Sequence, residues 1–159
     1  METTTSPAIG QIAPEFRLKG PGGQFVTLSE YRGRNPVVLV FYPLAFSPVC
    51  SHQLPAIQKE LPRISARGAV VLGISVDNHY ANDRFARAHG LNFPLLSDFD
   101  RATSRAYGVL DDQRGYSRRA LFLVDKQGVV RFKEVTIGPA ESPQMPSHQR
   151  ALDSLDSNS

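Results

Sequence analysis

The sequence predicts an α/β domain, a sheet with helices on both faces. Apolar runs bounded by turn residues recur along it: VVLVFY (37–42), AVVLGISV (69–76) and ALFLVD (120–125). Continuous runs of that length mark strands buried on both faces. Segments of helical periodicity lie between them, and a strand–turn–strand pattern closes the domain. A length of 159 residues fits one ordinary domain with a single sizeable core.

In chain order, residues 1–8 are rich in Thr, Ser and Pro and are expected to be flexible. FRL (16–18), KGPGGQ (19–24) and FVTL (25–28) read as a hairpin whose glycines supply positive φ. They do not form a phosphate-binding loop, since no GK[ST] follows. After VVLVFY, the residues Leu54, Ile57, Leu61 and Ile64 recur on one helical stripe. Pro55 and Pro62 each delete one bond of that helix and predict a kink. ANDRFARAHG (81–90) is amphipathic around Phe85 and Ala88, with Gly90 placed to cap it. FPLLS (93–97) is a short strand, and Asp98 or Asp100 caps the helix carrying RATSRAYGV. ALFLVD, the KQG turn and VVRFKEV (129–135) make the closing hairpin. The domain is set at 9–138. Residues 139–159 form a polar extension whose only sign of order is a weak helix in QRALDSL.

Composition excludes several classes. Eighteen basic residues against 15 acidic ones leave a net charge of +3, scattered without a basic run, so no nucleic-acid partner is expected. The longest apolar run falls far short of the roughly 20 residues that cross a bilayer, so no membrane partner is expected either. METTTSPAIGQ has neither the basic nor the apolar region of a secretory leader, which favours a cytoplasmic location. His52, His79, His89 and His148 have no ligand-like spacing, and C-x-x-C is absent. Neither a metal nor an organic cofactor is expected.

The chemistry concentrates in FYPLAFSPVCSHQL (41–54), which contains Cys50, the sole cysteine. A lone cysteine is commonly a small buried hydrophobe. This one follows a buried strand and opens a helix, where ligand sites of α/β sheets lie and where unpaired N–H groups and the helix dipole favour thiolate. Position alone leaves both readings open. Pro43 and Pro48 stiffen the approach, leaving the N–H groups of Val49 and Cys50 to face a bound group. Ser47 adds a hydroxyl donor and acceptor. Tyr42 and Phe46 serve either as pocket lining or as core. His52 lies at i+2 from Cys50 and points away from it on a helix.

Pro43, Ser47 and Cys50 reproduce the Pro-x-x-x-Thr/Ser-x-x-Cys signature of peroxiredoxins. PLLSDFDRATSRAYGV (94–109) and RRALFLVDKQGVVRF (118–132) resemble two further family segments. The resemblance covers about residues 10–137. It is nearest the one-cysteine AhpE type, with the PrxQ, or bacterioferritin comigratory protein-like, group beside it. It implies a thioredoxin-like fold with a central mixed sheet, flanking helices and an N-terminal hairpin.

It further implies a thiol peroxidase in which Cys50 is the peroxidatic nucleophile, Ser47 holds the peroxide, Pro43 shields the thiolate and Arg119 is the pocket arginine. Arg118 competes for that last role, but counting back from Phe122 favours Arg119. Gln53 stands where many relatives have Glu. Its amide oxygen can accept from a guanidinium without charge assistance. With no second cysteine, the sulfenic acid requires an external thiol: a low-molecular-weight thiol, thioredoxin or glutaredoxin. A homodimer is expected from the family. The alternative is a redox sensor or chaperone-like binding protein switched by oxidation of Cys50.

Overall fold

The computed structural model describes residues 6–46 and 50–136 with Arg150, Ala151, Asp153 and Ser154; for Cys50, Ser51 and His52 it describes the backbone alone. Residues 1–5 and 137–149 lie outside the described residues, and with them most of the segments expected to flank the domain.

Every residue of β3, Val37–Phe41, is buried, as its unbroken apolar run requires. It pairs in parallel with β4, Val70–Ser75, and antiparallel with β8, Ala120–Val124. β1 (Arg17–Lys19) and β2 (Phe25–Thr27) form the expected N-terminal hairpin. With β5 (Leu95–Ser97) and β9 (Val130–Val135) they complete a mixed seven-stranded sheet of order β2-β1-β5-β4-β3-β8-β9.

Side chains alternate along a strand, so β3 feeds two separate cores. Val38, Val40 and Tyr42 join Leu54, Ile57, Ile64 and Phe85 on one face. Val37, Leu39 and Phe41 join Phe16, Tyr107 and Phe122 on the other. Each of these side chains, fully buried, contributes about 1.5–3 kcal/mol.

α1, Cys50–Ala66, crosses from β3 to β4 and buries Leu54, Ile57 and Ile64, three members of the expected stripe. Both prolines lie inside this one helix, so the interruption they introduce does not end it. Each ring removes a single backbone bond, whereas the apolar stripe is buried on either side of it. α2, His79–Ala88, begins earlier than its apolar pattern, because Asn78 caps it by accepting from the Ala81 N–H at 2.9 Å. Gly90 follows at φ +62°. The N-cap position of α3, Ala102–Ala106, is Arg101 at φ +68°. The two suggested aspartates serve the first turn from just upstream: Asp98 accepts from the N–H groups of Thr103 and Ser104, and Asp100 from that of Ala102.

A small antiparallel pair, β6 (Leu110–Asp111) with β7 (Tyr116–Ser117), was not foreseen. Strands of two residues carry no periodicity to read. Arg150, Ala151, Asp153 and Ser154 are helical, and Ala151 is buried in the core that contains α1. Arg63 reaches Asp153, and Arg150 reaches Glu134, each at 3.9 Å. This part of the C-terminal extension is therefore packed against the sheet and α1. No helix among the described residues is long and apolar enough to cross a membrane.

Candidate functional site

The site is built where β3 ends. Phe41 is paired with Ala120, so Arg119, one residue earlier on the antiparallel chain, lies level with the exit from β3. Arg119 is only 1% exposed, and Thr136 secures its carbonyl through both N–H (3.0 Å) and hydroxyl (3.1 Å). Burying a guanidinium is costly, so its place beside the strand exit needs a chemical or structural return. Arg118 is partly exposed, and its guanidinium donates to the Leu110 carbonyl at 3.4 Å.

Tyr42 is anchored from three sides. Its N–H donates to the Ile74 carbonyl (3.1 Å), its own carbonyl accepts from the Ser117 hydroxyl (3.0 Å), and its hydroxyl donates to Asn82 (2.6 Å). Its ring stacks on Phe85 with centroids 6.1 Å apart. Tyr42 thus lies in the α2-facing core. Pro43 follows and is also buried. Phe46 is 54% exposed, sets its ring edge-on to Phe85, and has φ +67°, a conformation that costs a bulky residue energy. Ser47 and Val49 lie outside the described residues.

Cys50 is the first residue of α1, beyond the carboxyl end of the central strand, where a helix leaves its first N–H groups without intrahelical partners. One turn on, Gln53 is 4% exposed and donates a long 3.5 Å bond to the Phe41 carbonyl. Its buried Oε1 makes no hydrogen bond among the described residues, so the amide oxygen does not hold Arg119 in this structure. The fold therefore gathers Tyr42, Pro43, Gln53 and Arg119 around the strand exit that leads to Cys50.

In the sequence, Asp77 near a strand end reads as a cap or turn former, and little marks Ser75, Asn82 or Ser117. In the fold, the Asp77 carboxylate accepts from the Ala45 N–H at 2.8 Å and from the Ser75 hydroxyl at 2.7 Å. Asn82 is fully buried, accepts from the Tyr42 hydroxyl at 2.6 Å and donates to the Leu96 carbonyl at 3.3 Å, with its Oδ1 3.1 Å from the Ser75 hydroxyl. The only local signal was a polar Ser-x-Asp at the end of a buried strand. Among the described residues, no group of three or more His, Cys, Asp or Glu is arranged to hold a metal ion.

Residues 9–133 match the family model described as "AhpC/TSA family". The chain is 41% identical over 129 residues to alkyl hydroperoxide reductase E of Mycobacterium tuberculosis, covering 80% of this chain and 84% of that protein. It is 36% identical to a thioredoxin peroxidase of Fasciola hepatica, over 91% of this chain and 77% of the relative. Among solved structures, the reduced 2-Cys peroxiredoxin of Plasmodium vivax superposes with a TM-score of 0.83 at 30% identity, covering 94% of this chain and 95% of the other.

Proposed function

The chain belongs to the AhpC/TSA family and is a thiol-dependent peroxidase of the peroxiredoxin type; on that premise we propose that Cys50 is its nucleophile and works without a resolving cysteine in the chain. The observation that carries this reading is the lone cysteine at the first residue of α1, with the buried Arg119 level with the strand that leads to it.

The Cys50 thiolate attacks the distal oxygen of hydrogen peroxide or an organic hydroperoxide in line with the O–O bond. An S–O bond forms as the O–O bond breaks, and its electron pair leaves on the proximal oxygen, which takes a proton to become water or alcohol. The sulfur is oxidised to the sulfenic acid and the peroxide is reduced. Ser47 and the Cys50 N–H position the peroxide, Pro43 keeps water from the sulfur, and Arg119 offsets the charge developing on the departing oxygen. Tyr42 and Gln53 shape the floor beneath.

An external thiol then attacks the sulfenic sulfur, releasing water and leaving a mixed disulfide. A second thiol restores Cys50 and carries away the disulfide. The reductant is a low-molecular-weight thiol, thioredoxin or glutaredoxin, the working form a homodimer and the compartment the cytoplasm.

The test is peroxide consumption with a supplied thiol. Cys50→Ser should lose the activity; a variant as fast as the wild type sinks the enzyme reading and leaves the redox-switch alternative. Arg119→Met should slow the peroxide step about 100-fold. An unchanged rate would remove Arg119 from the mechanism.

A further inference from the structure

The loop that leaves β3 toward Cys50 is short, and a helix N-terminus alone does not fix where such a loop lies. Two of its residues are tied instead to the end of β4 and the start of α2. Tyr42 is tied through its hydroxyl to Asn82, and Ala45 through its N–H to Asp77.

Asp77 is itself held in place. Its N–H donates to the Ser75 hydroxyl at 3.3 Å, its carbonyl accepts from the Ser97 hydroxyl at 2.6 Å, and the next residue, Asn78, caps α2. The same carboxylate oxygen, Oδ2, accepts from both Ala45 and Ser75. A carboxylate accepting a backbone N–H makes a stronger bond than a neutral acceptor would. Ala45 stands two residues before Ser47 and five before Cys50.

We propose that Asp77 is a positioning residue for the peroxide reaction, its carboxylate holding the Ala45 N–H and thereby the loop that presents the peroxide-binding groups to Cys50. This rests on the reading of Cys50 as the nucleophile. Asp77 does not touch the peroxide. It sets the placement of groups that do, and small misplacements of reacting groups are expensive in rate.

The experiment compares two reactions of the same sulfur in the full-length protein. Reaction with hydrogen peroxide needs the loop in place; alkylation by iodoacetamide needs only an accessible thiolate. In Asp77→Ala, kcat/KM for hydrogen peroxide should fall about tenfold, while the iodoacetamide rate at the same pH stays within about twofold. Asp77→Asn should recover most of the loss, because one amide oxygen can take both bonds that now end on Oδ2. Asp77→Ser is the second variant should the alanine protein fail to fold. Its hydroxyl stops short of Ala45, so the same split is expected.

An unchanged peroxide rate overturns the proposal. So does an equal fall in both reactions, or an asparagine variant no better than alanine. An active Asp77→Ala protein beside an inactive Cys50→Ser one removes the role of Asp77 alone. An active Cys50→Ser protein removes the reading of the site beneath it.

Discussion

The loop leaving β3 and the turn joining β8 to β9 each rely on an aspartate, one reaching far along the chain and one close by. Asp125 accepts from the N–H groups of Gln127 and Val129, both at 2.9 Å, and from Arg131 Nε at 2.5 Å. Its partners lie two to six residues on, and Gly128 supplies the φ of +83° that the turn needs. Asp77 reaches Ala45 across 32 residues, and Asn82 reaches Tyr42 across 40. A local turn is complete once its few residues meet. A long-range tie exists only after β3, β4 and α2 have packed, so it reports on the tertiary fold and can pass that order to the residues it holds.

Substitutions can break this contrast. The largest effect is expected at Asn82, which is fully buried and bonded to Tyr42 and Leu96. Asn82→Ala removes the acceptor of the Tyr42 hydroxyl and the donor to Leu96, and should cost about 3 kcal/mol in denaturant unfolding. A loss under about 1 kcal/mol would mean that the long-range network adds little beyond packing.

Asp125→Ala should cost about 1–2 kcal/mol and leave the protein's peroxide rate untouched, since its bonds are confined to the hairpin. A fall in that rate would show the two regions to be coupled.

A pH titration sharpens the same point. Burial pushes the Asp125 carboxyl up, but bonds from Val129, Arg131 and Gln127 outweigh it and hold the group below its usual 3.8. A carboxyl depressed by folding stabilises the protein above its unfolded pKa and loses that contribution as pH falls through the folded one. The stability margin of the wild type over Asp125→Ala should therefore narrow as pH drops below 3.8. A margin constant with pH would remove the ionic part of this turn.

The smallest effect is expected at Gly128→Ala. At φ +83°, with an added Cβ 2.8 Å from the Arg32 guanidinium, it should cost about 1 kcal/mol, read as a lower Tm. An unchanged Tm would mean that the turn adapts.

The same contrast explains what could be read in advance. The buried strands, the α1 stripe and the KQG turn depend on neighbours in sequence, and their apolar periods and turn residues announce them. Cys50 at a strand–helix junction was visible for that reason, and Arg119 through its spacing from Phe122 in a family-like segment. The β6–β7 pair was too short to have a period. Ala151, one small residue in a polar tail, gave no sign that it would be buried at 3% exposure.

Asp77 marks the boundary most clearly. Its side chain is polar, it follows a strand and it precedes a helix cap, a description that fits any turn-forming aspartate. By itself the sequence determined the order of strands and helices apart from the β6–β7 pair, and a lone thiol at a helix start, because these follow from local periodicity and residue chemistry. Only the tertiary structure decided which groups surround that strand exit and which carboxylate holds the loop beyond it. Those hydrogen bonds join residues that meet only once the sheet has formed.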